Sequence, residues 1–252
     1  MFMNYKITLI ILFIIIIFVF IYYASKNNIY NTADKINYFF SKYSNDPAVL
    51  NPNDFPWSIN FRNSWKIIRD EYLKYTATNI IPYHNNINPI VARCDNNRGW
   101  KTLYLRAFGK NTKIANFFPK TMEIINKSPC TLAFFSVLEP GAKLASHIGI
   151  YKGVIRYHLG IFVPKEWHKC FINVNGTILH WREGMDIMFD DMYPHYVQNN
   201  TNERRVILFL DIKRDFHNYF LNMLNTIFLQ FIKSNDALKD TIDNANSFSL
   251  NN

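Results

Sequence analysis

The sequence predicts a mainly β protein of sandwich or jelly-roll type, with flanking helices and an N-terminal transmembrane helix. Three observations carry that expectation. From Thr131 onward, short apolar runs follow one another with Gly, Pro or Asn turns and no helical pattern between them. Upstream, residues 60–75 space their apolar side chains for a helix, and residues 7–25 carry no charge at all.

The elements follow in order. Residues 7–25 (ITLIILFIIIIFVFIYYAS) come close to the roughly 20 residues that cross a hydrocarbon core as a helix. No small-x-small cleavage pattern follows them, so they read as an anchor and not a removed signal. Lys6 precedes the span while Lys26, Lys35 and Lys42 follow it, which tilts the positive-inside rule towards a cytosolic domain. Residues 26–53 are polar and Asn-rich and read as a linker, and the Pro and Asn punctuation of DPAVLNPNDFP marks entry to a domain at about residue 54. Phe61, Trp65, Ile68, Tyr72 and Tyr75 fall on one face of a helix, and Pro119 suits the first turn of a second helix that includes Met122 and Ile125. Strands are expected at TLAFFSVL, VIRYHLGIFV, KCFINV, TILHW, DIMF, HYVQ and RVILFLDI. Such closely spaced strands without intervening helices predict packed antiparallel sheets, not a parallel α/β sheet. Residues 219–232 (YFLNMLNTIFLQFI) are too short to span a membrane and read as a helix packed on the domain or lying in the membrane interface, followed by a polar tail to residue 252.

Composition narrows the function classes. With 252 residues, 49% of them hydrophobic and 19% charged, the chain can bury a core, and its 8 glycines show no repeat, which excludes disordered, collagen-like and solenoid readings. The formal charge of +9 favours anionic partners without choosing among them. Cys94, Cys130 and Cys170 form no C-x-x-C pattern, so they read as buried thiols in a reducing compartment and not as a disulfide or zinc framework.

The residues able to do chemistry stand out as polar interruptions of apolar strands. His147 opens HIGIYKG, and His195 follows the carboxylates and Pro turn of FDDMYP. Two imidazoles brought from distant strand ends to one cavity would suit a mononuclear iron site with positions left open. Taken singly, a strand histidine is more often a satisfied surface or core residue. Arg205 opens the apolar run RVILFLDI, where a buried guanidinium would need a carboxylate partner; flanking the strand on its solvent side is the competing reading. Ser136 and His158 likewise need partners on their strands, and a dicarboxylic acid inside the barrel would supply them.

Several blocks now combine. GWKTLYLRAFGK, SVLEPGAKLASHIGIYKGVIRYHLGI, WREGMDIMFDDMYPHYVQNNT and RVILFLDI, in that order across residues 54–216, resemble the aspartyl/asparaginyl β-hydroxylase family. The Y-x-G-x-x-R-Y-H-L-G wording is most similar to the bacterial lipid A acyl-chain hydroxylases within that family. The resemblance implies a cupin-like double-stranded β-helix and an Fe(II)- and 2-oxoglutarate-dependent dioxygenase. It implies that His147 and His195 ligate iron, that Ser136 and Arg205 hold the distal carboxylate of 2-oxoglutarate, and that His158 lies near the C1 carboxylate. Arg156 matches a position that contacts substrate in the protein hydroxylases and is the expected catalytic-site cation. The expected partners are O2 and either a lipid acyl chain or an Asp/Asn side chain of a protein, with no nucleic acid; a non-catalytic jelly-roll binding module is the alternative. At the third position of the general H-x-[DE]…H triad this chain has Gly149, which cannot ligate iron, as in the animal aspartyl hydroxylases. Asp190 and Asp191 are candidates for orienting His195 or for a structural turn.

Overall fold

A computed structural model describes residues 29–44, 46–89, 91–95, 99–234 and 239–248. The expected anchor, residues 7–25, lies outside these; among the described residues no helix is long and apolar enough to cross a membrane. Among the described residues, the α-helices α1 (Ile29–Ser41), α2 (Ser58–Thr76), α3 (His84–Ile87), α4 (Pro119–Asn126), α5 (Tyr219–Ser234) and α6 (Lys239–Phe248) surround the strands. These are β1 (Val49–Leu50), β2 (Trp100–Ala107), β3 (Lys110–Asn111), β4 (Cys130–Leu138), β5 (Lys143–His147), β6 (Val154–Phe162), β7 (Cys170–Val174), β8 (Thr177–His180), β9 (Asp186–Phe189), β10 (His195–Asn199) and β11 (Arg205–Lys213).

One sheet runs β1-β9-β6-β11-β4-β2-β3 and the other β5-β10-β7-β8. Strands β4 to β11 switch between the sheets so that β9-β6-β11-β4 faces β5-β10-β7-β8, the weave of a double-stranded β-helix, with every ladder antiparallel. The larger sheet is covered on both faces, which is why its strands read as nearly continuous apolar runs. Its outer face, with Phe135, Val137, Tyr157, Leu159, Leu208 and Leu210, packs on Phe61, Ile68 and Tyr72 of α2 and Met122 and Ile125 of α4. The opposite parity points into the barrel, where Phe134, Phe209, Ile207 and Trp100 meet Leu144, Ile172 and Val197 of the smaller sheet. Because side chains alternate along a strand, Ser136, Arg156, His158, Arg205 and Asp211 share this inward parity. The polar interruptions of the sequence are thereby gathered in one interior.

Two terminal segments differ from expectation. Within residues 26–53, α1 is a packed helix and not a linker: Ala33 and Phe40 are buried with Tyr151, Val154, Phe216 and Phe228. Its polarity misleads because buried Asn37 substitutes for backbone, donating from Nδ2 to the carbonyl of Ile150 (2.8 Å) and accepting from the N–H of Lys152 (2.8 Å). Beyond α5, part of the expected polar tail forms α6, whose Ile242, Ala245 and Phe248, at helical spacing, pack against the barrel core. The three cysteines are buried and form no disulfide.

Candidate functional site

His147 ends β5, His195 begins β10, and the two are paired across the ladder with ring centroids 4.2 Å apart. Each ring is oriented by its own strand: His147 Nδ1 lies 2.7 Å from the carbonyl oxygen of Ala145, and His195 Nδ1 lies 2.9 Å from that of Tyr193. A carbonyl only accepts, so each Nδ1 carries the hydrogen and each Nε2 keeps its lone pair, as a metal-binding imidazole requires. Burial pushes both pKa values down, that of His195 to about 3 with the charge of His147 acting in the same direction, so both rings are neutral at physiological pH.

The third position has a structural answer. A side chain at Gly149 would have its Cβ 2.1 Å from Asp191 Oδ2, and the Gly149 N–H donates to the Asp191 carbonyl (2.6 Å). The carboxylate of Asp191 thus occupies the space into which a residue at 149 would project. Asp191 is 1% exposed and pairs with Arg156 Nη2 at 2.7 Å. Burial raises its pKa against the lowering effects of Arg156 and His147. The adjacent carboxylate faces elsewhere. Buried Asp190 accepts from Arg214 Nη2 (2.8 Å) and Lys152 Nζ (3.3 Å), and Arg214 also pairs with Asp46, tying this loop to the N-terminal segment.

Arg205 is 2% exposed, its guanidinium lies 4.5 Å from the Trp181 ring centroid, and no carboxylate among the described residues pairs with it. Its Nε has no acceptor among the described residues, and burial pushes its pKa down to about 10. On the neighbouring strand, Ser136 Oγ accepts from Trp100 Nε1 at 2.9 Å. His158 sits between Phe189, Trp181 and Phe209, and neither ring nitrogen has a partner among the described residues; burial first, then Arg205 and Arg156, keep it neutral. A buried cation without a counter-ion and orphaned imidazole nitrogens are costly in an apolar interior. They fit a small dicarboxylic acid with one carboxylate on Arg205 and Ser136, and the two Nε2 lone pairs fit a divalent metal of borderline softness.

Arg156 ion-pairs with Asp191 and, through Nε at 2.8 Å, with Asp211. Burial opposes its charge, but the two carboxylates outweigh that and hold it protonated. Asp211 is pushed up to about 6 by burial, against the pull of Arg156. All three line a cavity of about 230 Å³ whose remaining walls are largely apolar, among them Tyr104, Phe134 and Phe209 of the barrel and Leu229 and Ile232 of α5. Arg156 lines this cavity, while His147, His195 and His158 gather around Phe189, Arg205 stacks on Trp181 beside His158, and Ser136 shares their inward face through its bond from Trp100. Sequence reasoning missed Trp100, Asp211, the place of Asp191 beside Gly149, and the contribution of α5.

A family model described as aspartyl/asparaginyl β-hydroxylase matches residues 62–215. An ornithine lipid ester-linked acyl 2-hydroxylase of Rhizobium tropici is 35% identical over 210 residues, covering 80% of this chain and 74% of that protein. The aspartyl/asparaginyl β-hydroxylase of Homo sapiens is 27% identical over 163 residues, covering 61% of this chain but only 20% of its own length. Among solved structures, a Pseudomonas putida prolyl-4-hydroxylase aligns with TM-score 0.41 and 14% identity, covering 61% of this chain and 87% of that one.

Proposed function

The chain belongs to the aspartyl/asparaginyl β-hydroxylase family, and we propose that it is an Fe(II)- and 2-oxoglutarate-dependent dioxygenase that hydroxylates an unactivated C–H bond of a lipid acyl chain. The observation that carries the reaction class is the His147–His195 pair, each Nδ1 fixed on a carbonyl of its own strand so that both Nε2 lone pairs are free for a metal. When bound together, Fe(II) and 2-oxoglutarate reduce O2, with release of succinate and CO2, and supply the oxidant that inserts one oxygen atom into C–H. His147 and His195 would hold the metal, with the carboxylate of Asp191 on the Gly149 side. Arg205 and Ser136 would hold the distal carboxylate, and His158 would donate to the C1 carboxylate. The surrounding rings of Phe189, Trp181 and Phe209 exclude water from these groups.

The cavity supports the acyl chain as substrate. Its walls are largely apolar, and of the two cations that line it, Arg156 and Lys233, Arg156 is already matched by Asp191 and Asp211, so an ionised Asp side chain there would add a third carboxylate to one guanidinium. The second reading, an Asp or Asn side chain of a protein, is favoured by Arg156 itself, a guanidinium on the cavity wall able to clamp a carboxylate. The charge-free run of residues 7–25 supports a membrane anchor, and the lysines that follow it support a cytosolic catalytic domain. The test is aerobic incubation of the full chain with Fe(II), 2-oxoglutarate and either a membrane lipid extract or Asp- and Asn-containing peptides, reading succinate and a product heavier by one oxygen. Oxygen in an acyl chain is the expected result. Oxygen only in the peptides would put the second reading first.

A further inference from the structure

One buried group on the cavity wall takes no part in holding iron or 2-oxoglutarate. His84 opens α3, is 1% exposed, and lies against Trp100 with ring centroids 3.8 Å apart, among Tyr104 and Phe134. Its Nδ1 is 3.1 Å from Thr102 Oγ1, while its Nε2 has no partner among the described residues.

The tautomer follows from Thr102. That side chain is completely buried, and His84 Nδ1 is the partner its hydroxyl has among the described residues. A buried hydroxyl must place its proton, so Oγ1 donates and Nδ1 accepts. Nε2 then carries the ring hydrogen: a donor with nothing to donate to, in the wall of the cavity that Arg156 and Asp191 also line. Burial keeps the ring neutral by pushing its pKa down to about 3, and the charge of Arg156 acts in the same direction.

An unmet donor set among the rings of Trp100, Tyr104 and Phe134 selects a ligand that is apolar where it meets those rings and presents a hydrogen-bond acceptor to Nε2, because leaving a buried donor unmet is unfavourable. We propose that His84 Nε2 donates to the carbonyl oxygen of an acyl ester whose alkyl part occupies this cavity. Fixing the carbonyl fixes which carbon of the chain can reach the His147–His195 pair, so His84 is a specificity-determining residue. The proposal rests on the acyl-chain reading given above.

The test compares two probes of matched length, methyl decanoate and decyl methyl ether, which differ in the carbonyl. Binding to the full chain with Fe(II) and 2-oxoglutarate under anaerobic conditions is followed by tryptophan fluorescence, since the Trp100 indole forms part of the wall. The unmodified protein should bind the ester about tenfold more tightly than the ether, the worth of one buried hydrogen bond. His84→Phe, which keeps the ring against Trp100, should bind the two probes equally, and His84→Gln, whose amide can donate, should recover part of the preference. No ester preference in the unmodified protein, or a preference that survives in His84→Phe, overturns the proposal. So does failure of both probes to bind a protein that still shows the absorption band of the Fe(II)–2-oxoglutarate chelate, and that outcome leaves the dioxygenase reading intact. Absence of the band itself would overturn the dioxygenase reading, so the two failures are separately visible.

Discussion

Replacing Arg205 by methionine should stabilise the protein while abolishing its response to 2-oxoglutarate. Burial depresses the Arg205 pKa to about 10, a fall of roughly 2–3 decades in proton affinity, or about 3 kcal/mol against the charged form. The sign is that of a base with a lowered folded-state pKa: the charge destabilises the fold at every pH below 10 or so, and therefore throughout the neutral range. Methionine of similar length removes that penalty and forfeits the stacking on Trp181, worth about 1–2 kcal/mol in a desolvated site. The net expectation is a gain of about 1–2 kcal/mol, or a rise of roughly 2–8 °C in Tm for a domain of this size. Thermal denaturation with and without 2-oxoglutarate reads both effects. At a ligand concentration of about 100 Kd, the unmodified protein should gain about 2.7 kcal/mol from binding, and Arg205→Met should gain nothing. A variant that is less stable than the parent and still stabilised by 2-oxoglutarate would refute the reasoning.

Other substitutions probe the surrounding parts. Gly149→Asp places a Cβ against the Asp191 carboxylate and should cost more than about 2 kcal/mol by overpacking and like-charge contact; pairing it with Asp191→Gly should restore most of that in chemical denaturation. Ser136→Ala removes the acceptor of the Trp100 indole N–H, which should cost about 1–3 kcal/mol of stability and raise the KM for 2-oxoglutarate with a smaller effect on kcat. Arg214→Met leaves buried Asp190 with Lys152 as its cation and the N–H of Met192 as its other donor and should cost about 3–5 kcal/mol; stability unchanged in urea would show that this network does not hold the loop between β9 and β10.

What could be read from the sequence depended on how each residue departs from its surroundings. Strands β4, β6 and β11 lie in a sheet buried on both faces, so their apolar runs were legible, and Ser136, His158 and Arg205 stood out against them. Helices α2 and α4 announced themselves by spacing and by Pro119. Helix α1 did not, because its Asn37 is a buried hydrogen-bonding group in a chain where Asn is abundant, and composition cannot tell such a residue from a solvated one. Strand β5 is five residues of mixed exposure, too short for a period to show. Asp191 reaches the Gly149 position from another loop, and His84 reaches the cavity from a four-residue helix. Neither relation corresponds to a spacing within the chain. The orphaned donor of His84 is visible only once the burial of Thr102 is known.

The most direct measurement is anaerobic titration of Fe(II) into the full chain with 2-oxoglutarate, watching for the visible charge-transfer band of the chelate, beside His195→Ala and Arg205→Met. A saturable band is expected in the unmodified protein, none in His195→Ala, and none in Arg205→Met at the 2-oxoglutarate concentrations that saturate the unmodified protein. Folded protein that gives no band, or a band indifferent to His195, would contradict the assignment of this interior to iron and 2-oxoglutarate.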